Sequence, residues 1–308
     1  MPGLAGATGG GPTRRGATYM LSAALAAAIY LIAFQSAREA PRESFVLAVL
    51  AIGAAINVAW LFLLGRQTGA LSPPPRREAV VTGALAVCTV AGNYFVGRAS
   101  ETLDSGAIAA LFQTEIFFVA AAGWLLLGER PRPSVALGAV VATAGVTVAR
   151  APGADAAWDP AGVGFALASS LAAALLLVIV RGTAANIHLE RVNAYRLVAA
   201  AALALLLPGA ATGLGALTPA DWGAAAVAAA AGPVLSRLLQ MYAVRELPAV
   251  SVKLGLLTTA VFAYALQALV FGRLPTGVEI AGASLILAGV SIPQLAQWTL
   301  PGGRRGAP

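Results

Sequence analysis

Two stretches of this chain align without gaps, WLLLGERPRPSVALGAVVATAGV at Trp124–Val146 and ALVFGRLPTGVEIAGASLILAGV at Ala268–Val290. The offset is 144 residues, from position 124 to position 268. Chance agreement in so apolar a sequence would match mostly alanine and leucine, yet here glycine and proline positions coincide. The matched pairs are Gly128 with Gly272, Pro131 with Pro275, Gly138 with Gly282, and Gly145 with Gly289. We infer an internal repeat.

The composition predicts that both copies lie in a membrane. Of the 308 residues, 59% are hydrophobic and 11% are charged, whereas a soluble domain carries about 25% charged residues. The net charge of +7 does not indicate nucleic-acid binding, because the arginines stand in short clusters between apolar runs, as topology signals do. We therefore expect membrane lipids around the chain and no nucleic-acid partner.

Charged residues and helix breakers divide the sequence into ten apolar runs. In hydrocarbon only helices and closed barrels satisfy the backbone, and runs rich in alanine and leucine favour helices. We place the runs near Ala17–Gln35, Ser44–Leu64, Ala79–Gly97, Ser105–Leu127, Ser134–Ala149, Ala161–Val180, Asn193–Pro208, Asp221–Ala243, Ala249–Phe271 and Val278–Trp298.

The repeat divides these ten helices into two sets of five. Because five is an odd number, the second copy enters the membrane upside down, which is the plan of many secondary transporters. The predicted fold class is an all-α integral membrane protein with ten transmembrane helices in two inverted five-helix repeats. Its predicted divisions are a flexible cytoplasmic tail at 1–16, a first repeat at 17–150, an outer linker at 151–160, a second repeat at 161–298 and a cytoplasmic tail at 299–308.

The arginine distribution predicts the orientation. With a cytoplasmic N-terminus, twelve arginines fall on cytoplasmic segments and five on outer connectors, and the remaining three of the 20 basic residues lie within predicted helices. Cytoplasmic loops carry such an excess of basic residues. Ten spans then place both termini in the cytoplasm.

Together with the five-plus-five arrangement, the motif LLLGERP at Leu125–Pro131 resembles the EamA-type transporters of the drug/metabolite transporter superfamily. The second copy departs from the motif, because Gly272-Arg273-Leu274 lacks the glutamate. The resemblance implies a carrier of the bacterial inner membrane with a central cavity. It also implies that helices 1, 3, 4, 6, 8 and 9 line this cavity and that helices 5 and 10 pack at the periphery.

Ionisable residues inside spanning helices are costly and therefore indicate functional sites. Glu115 lies near the middle of the fourth run, where it is predicted to carry protons or bind a cation, or else to make a structural hydrogen bond. Arg237 lies deep in the eighth run, four residues after Pro233. It is predicted to hold an anionic group of the solute, and a structural pair with Glu115 is the alternative.

The ninth run carries Lys253, the only lysine of the chain, about one turn from its cytoplasmic end. At about 100° per residue, Tyr264 and Gln267 fall within about 40° of Lys253 on a helix. Together they predict a polar stripe that faces the cavity. Alternatively, the Lys253 side chain reaches the cytoplasmic headgroups.

Three further polar residues complete the candidates. Tyr30 lies in the first run, and Asn93 occupies the position of the third run that aligns with Arg237. Both are predicted to line the cavity. Arg196 lies close to the start of the seventh run and is predicted to anchor that helix at the membrane interface.

Glycines seven residues apart, at Gly138 and Gly145 and again at Gly282 and Gly289, place small residues on one stripe of the fifth and tenth helices. Such stripes let two helices approach closely. They predict either a packing seam within the fold or a contact in a homodimer.

Together with the resemblance, these patterns favour secondary active transport of a small organic solute, in the direction of export. The resemblance implies a solute such as an amino acid, a metabolite or a drug. The alternatives are a flippase for lipids or lipid-linked sugars and a membrane assembly protein without transport activity. An intramembrane enzyme is disfavoured, because Ser251 and Lys253 point about 200° apart on one helix. No cofactor or metal is expected, and protons are the candidate coupling ion.

Overall fold

We describe the chain from a computed structural model, which covers residues 14–68, 75–127, 133–149, 158–183, 188–246, 256 and 258–299. Within these ranges the chain forms helices and turns and contains no strand. The motif residues Gly128, Glu129 and Arg130 lie outside the described residues, as does Lys253.

Twelve α-helices carry the described fold. The first half comprises α1 (Arg14–Ser36), α2 (Arg42–Thr68), α3 (Arg76–Ala99), α4 (Ser105–Phe112), α5 (Glu115–Leu127) and α6 (Pro133–Ala149). The second half comprises α7 (Pro160–Thr183), α8 (Leu189–Ala204), α9 (Pro219–Ala229), α10 (Arg237–Glu246), α11 (Thr258–Phe271) and α12 (Gly277–Thr299). A π-helical segment, Ala230–Ser236, joins α9 to α10 without a break.

Among the residues that the structure describes, six helical stretches are long and apolar enough to cross a membrane. They are Arg15–Ser36, Arg42–Leu63, Arg76–Ala99, Ser105–Leu126, Pro160–Val180 and Pro219–Ala243. Shorter apolar helices lie at Ala136–Gly145, Thr258–Phe271 and Gly277–Gly289. The predicted all-α class is therefore confirmed for the described residues, and the long apolar helices are consistent with a membrane protein, while the number of ten spans stays a prediction.

The helices pack in matching ways across the two halves. In the described residues α1 packs against α9, the π segment and α10, just as α3 packs against α7. Likewise α1 packs against α11, and α7 packs against α4 and α5. These interfaces enclose a core of alanine, leucine and phenylalanine side chains that runs along α1, α2, α4 and α8.

The glycine stripes form a seam between α6 and α12 within the chain. A β-carbon on Gly145 would stand 2.7 Å from the Gly282 carbonyl oxygen and 2.8 Å from the Ile286 amide nitrogen. One on Gly289 would stand 2.6 Å from the Gly138 carbonyl oxygen and 2.6 Å from the Ala142 nitrogen. The two sets of contacts are equivalent under the 144-residue offset, and neither position has room for a side chain.

Candidate functional site

A cavity of about 140 Å³ lies in the middle of the bundle. Its walls come from α1, α3, α4, α5, α7 and the π segment with α10, together with Arg196 of α8 and with Leu256 and Thr259 of the ninth run. Polar side chains face it from both halves of the chain. They are Tyr30, Thr89, Asn93, Gln113, Glu115, Ser169, Ser170, Arg196, Ser236, Arg237, Gln240 and Thr259.

A break between α4 and α5 positions Glu115. At the break, the Gln113 amide donates to the Ala110 carbonyl at 3.1 Å, and the Thr114 amide donates to the Leu111 carbonyl at 3.0 Å. Since Ala109 thereby loses its usual α-helical donor, Gln113 Nε2 donates to its carbonyl instead, at 2.9 Å. Glu115 thus begins α5 on the cavity wall, where the positive end of the helix dipole stabilises a carboxylate.

The π segment positions the second half of the cavity. In a regular α-helix the Arg237 amide would donate to the Pro233 carbonyl, but here it donates to the carbonyls of Gly232 and Val234. Single π-helical turns of this kind are frequent at functional sites. Arg237 follows directly and lines the cavity, with one guanidinium nitrogen 3.3 Å from Gln240 Oε1.

The Arg196 side chain donates to the Pro233 carbonyl and also binds Thr89, so it links the second half of the chain to the first at the cavity wall. Its Nη2 donates to Pro233 at 3.1 Å and to Asn193 Oδ1 at 2.6 Å, and its Nη1 donates to Thr89 Oγ1 at 2.6 Å. The side chain is 1% exposed. The predicted interfacial anchor is therefore wrong: Arg196 is a cavity residue.

The mistake about Arg196 has a physical reason. Helix α8 begins at Leu189, four residues before the predicted Asn193, so Arg196 lies two turns inside the helix. The orientation prediction counts Arg191 among the arginines of the cytoplasmic segments, yet it is buried within α8, where its Nε and Nη2 donate to the Glu78 carboxylate at 2.6 and 2.8 Å. The matching acid is 113 residues away, which no local pattern indicates.

Tyr30 and Asn93 meet at the cavity wall. The Tyr30 hydroxyl donates to Asn93 Oδ1 at 3.0 Å, and Asn93 Nδ2 donates to the Thr89 carbonyl one turn earlier, at 2.8 Å. The Tyr30 ring rests on Gly232, where a β-carbon would overlap it. The structure thus brings Tyr30, Asn93, Glu115 and Arg237 together on one cavity.

Tyr264 and Gln267 of the predicted stripe lie elsewhere, against the start of α4. Gln267 Oε1 accepts from the Gly106 amide at 3.1 Å and from Ser105 Oγ at 3.3 Å. The Tyr264 ring fills the space beside Gly106. Both residues share a helix face, as predicted, but neither lines the cavity.

An apolar plug closes the cavity toward the end where α1 finishes and α2 begins. The Tyr30 ring packs against Phe34 at an interplanar angle of 57° with ring centroids 4.8 Å apart, and Phe34 packs edge-on against Phe45 at 5.0 Å. Phe34 and Phe45 are wholly buried, as are the neighbouring Leu103 and Ile108 within 2% exposure. Three aromatic rings therefore lead from the cavity into solid core.

A polar network covers this plug. Arg273 forms an ion pair with Asp104 and lies 3.8 Å from Glu279, so it ties the second half of the chain to the first. Gln35 Nε2 donates to Asp104 Oδ1 at 3.1 Å, and the Ser105 amide donates to Gln35 Oε1 at 2.9 Å. Burial raises the pKa of Asp104, and the Arg273 guanidinium opposes that rise.

Comparisons with known proteins agree with this architecture. The family model described as the EamA-like transporter family matches twice, at residues 14–150 and 160–292. Among 28 matching chains of solved structures, one described as "Crystal structure of protein" has a TM-score of 0.63 and 20% sequence identity. That match covers 91% of this chain and 96% of the other, and at this identity it shows the fold alone. No curated protein matches the chain.

Proposed function

The chain belongs to the EamA-like transporter family, and we propose that it is a secondary active transporter that moves a small organic solute across the bacterial inner membrane by alternating access. The proposed direction is export. The proposed topology is ten spans in two inverted five-helix repeats with both termini in the cytoplasm.

One observation carries the proposal: a polar cavity lies between the two matched segments and is closed toward one end of the bundle. Substrate sites of repeat-based transporters lie near the membrane midplane, where interrupted helices supply polar groups. Both interruptions described above, at Gln113–Thr114 and at the π segment, border this cavity. Under the arginine-based orientation, the closed end faces outward.

Alternating access then requires the closed end to open. Opening would separate Arg273 from Asp104 and move the packed rings of Tyr30, Phe34 and Phe45, because these contacts hold the closed end together. Glu115 is the carboxylate among the described lining residues and is proposed to couple transport to protons.

Reconstitution tests the proposal. Solutes that raise the melting temperature of purified protein are loaded into proteoliposomes, and their release is followed under an imposed pH gradient. We expect release that Asn93→Leu abolishes, since leucine cannot accept the Tyr30 hydroxyl bond. Release of solute at the rate of protein-free liposomes would contradict transport, and inversion of labelled lipid instead would favour a flippase.

A further inference from the structure

We propose that the transported solute carries an anionic group, a carboxylate or a phosphate, that binds between Arg196 and Arg237. This inference rests on the proposed transport function and names the substrate class of the same cavity. It follows from the partners of Arg196 and Arg237 among the described residues, which are neutral groups and not carboxylates.

Arg196 is a buried cation held by neutral groups. Its partners are the hydroxyl of Thr89, the side-chain amide of Asn193 and the carbonyl of Pro233. Within the described ranges, its Nε has no hydrogen-bond partner. A buried charge is costly unless an opposite charge and hydrogen bonds compensate it. Arg196 therefore has its position fixed, while its charge has no described carboxylate partner and its Nε has no described acceptor.

Arg237 adds a second cation to the same wall. Its guanidinium donates to Gln240, again a neutral group. In the part of the chain that the structure describes, neither Arg196 nor Arg237 has a carboxylate oxygen within 4.0 Å. Other buried arginines differ, because Arg191 pairs with Glu78 and Arg42 lies 3.5 Å from Glu101.

The described lining of the cavity consequently has an excess of positive charge. It contains two guanidinium groups and one carboxylate, that of Glu115. Two arginines that flank one space suit an oxyanion, since guanidinium groups bind carboxylates and phosphates through charge-assisted hydrogen bonds. Hydroxyl and amide groups of Ser169, Ser170 and Asn93 complete the wall, which suits a polar organic anion.

Cys88 provides a direct reporter of occupancy. It is the only cysteine of the chain, and it is partly exposed on the cavity wall. A solute bound between the arginines restricts access of a thiol reagent to it. The experiment measures the rate of Cys88 labelling by a maleimide, in detergent, with four probes. They are propionate, its neutral match propionamide, inorganic phosphate, and phosphatidylglycerol in mixed micelles.

The expected result is slower labelling with propionate or phosphate and unchanged labelling with propionamide. Arg196→Gln and Arg237→Gln should each weaken this protection about tenfold or more, as expected for loss of a charged hydrogen-bonding partner. Arg196→Lys keeps the charge and should retain part of the protection. Arg38→Gln is the matched control, because Arg38 lies at the closed end and donates to the Glu101 carbonyl. In this variant propionate and phosphate should protect Cys88 as they do in the native protein.

Two outcomes overturn the inference: equal protection by propionate and propionamide, or anion protection that persists in Arg196→Gln and Arg237→Gln. Protection by phosphatidylglycerol alone would also overturn it, because the anion would then be a lipid headgroup. The transport proposal is tested separately by solute release. Release of a neutral solute that protects Cys88 would keep transport and refute the anion, whereas anion protection without release would keep the site and refute transport.

Discussion

At the scale of single residues, polar side chains at the cavity donate hydrogen bonds to backbone carbonyls that lack their α-helical amide donors at the helix interruptions. Gln113 Nε2 donates to the Ala109 carbonyl at the first interruption, and Arg196 Nη2 donates to the Pro233 carbonyl at the second. Buried carbonyl groups without donors are costly. Each interruption is thus stabilised by a polar side chain that also lines the cavity, which couples local backbone geometry to the site.

Glu115→Gln should abolish proton-driven transport while leaving the protein folded. The amide keeps the size of the side chain and one acceptor oxygen, but it carries neither a charge nor an exchangeable carboxyl proton. Solute release under a pH gradient measures the coupling, and exchange of labelled solute without a gradient measures binding. Glu43→Gln, in the first turn of α2, is the matched control. Proton-driven release by Glu115→Gln at the native rate would remove Glu115 from the coupling mechanism.

Asp104 should make the fold more stable at acidic pH. Its folded pKa lies above the ordinary 3.8 because burial outweighs the nearby Arg273, with Glu279 adding to the rise and Arg38 opposing it. The folded chain therefore holds the proton more tightly than the unfolded chain. This contribution is complete below the ordinary pKa and is lost as the pH rises through the raised folded pKa.

Melting temperatures of native protein and Asp104→Asn, taken from about pH 4 to about pH 7 across the acid range, measure this effect. We expect the native protein to lose stability relative to Asp104→Asn as the pH rises. Parallel curves for the two proteins would show that Asp104 titrates alike in the folded and unfolded chains, against the expectation.

At the scale of helices, the α6–α12 seam depends on glycine at reciprocal positions. Gly289→Ala places a methyl group against the backbone of Gly138 and Ala142, so the helices must separate. We expect a loss of about 1–3 kcal/mol, the usual cost of overpacking, seen as a lower melting temperature. Gly83→Ala is the control, since its β-carbon meets no atom within 4 Å and alanine favours helix there. Equal stability of the two variants would contradict the seam.

The sequence predicted where helices form and which residues share a helix face better than it predicted which neighbour each face contacts. Periodicity correctly grouped Tyr264 with Gln267, because a helix fixes which residues share a face. It could not say which neighbour that face meets, and the face meets Gly106. The small size of Gly106 is the only local signal for this contact. The π segment has a clearer signal in the sequence, since Gly232 and Pro233, two residues that interrupt helices, stand together within an apolar run.

The sequence also predicted glycine stripes, but their partner was left open between the fold and a second copy. The structure places Gly145 against Gly282 and Gly289 against Gly138 within one chain. The 144-residue offset is compatible with packing of α6 on α12, because equivalent helices of a repeat can pack on each other. Distances between helices 144 residues apart nevertheless depend on the whole assembly.

At the scale of the whole molecule, the closed end joins the two halves through long-range contacts. Asp104 of the first half meets Arg273 of the second, and Ser105 meets Gln267 at 3.3 Å. The cavity lies below this layer and is bordered by both family-matched segments. The proposed alternating access requires that the cavity be exposed to one side of the membrane at a time.

The most direct test is the sidedness of Cys88 labelling by a membrane-impermeant maleimide in everted and right-side-out vesicles. Cys88 is the only cysteine of the chain and lines the cavity. We expect labelling of the native protein from the cytoplasmic face, with added labelling from the outer face in Arg273→Gln, which loses the ion pair to Asp104. Equal labelling from both faces of the native protein, or labelling from the outer face alone, would contradict a cavity that is closed outward.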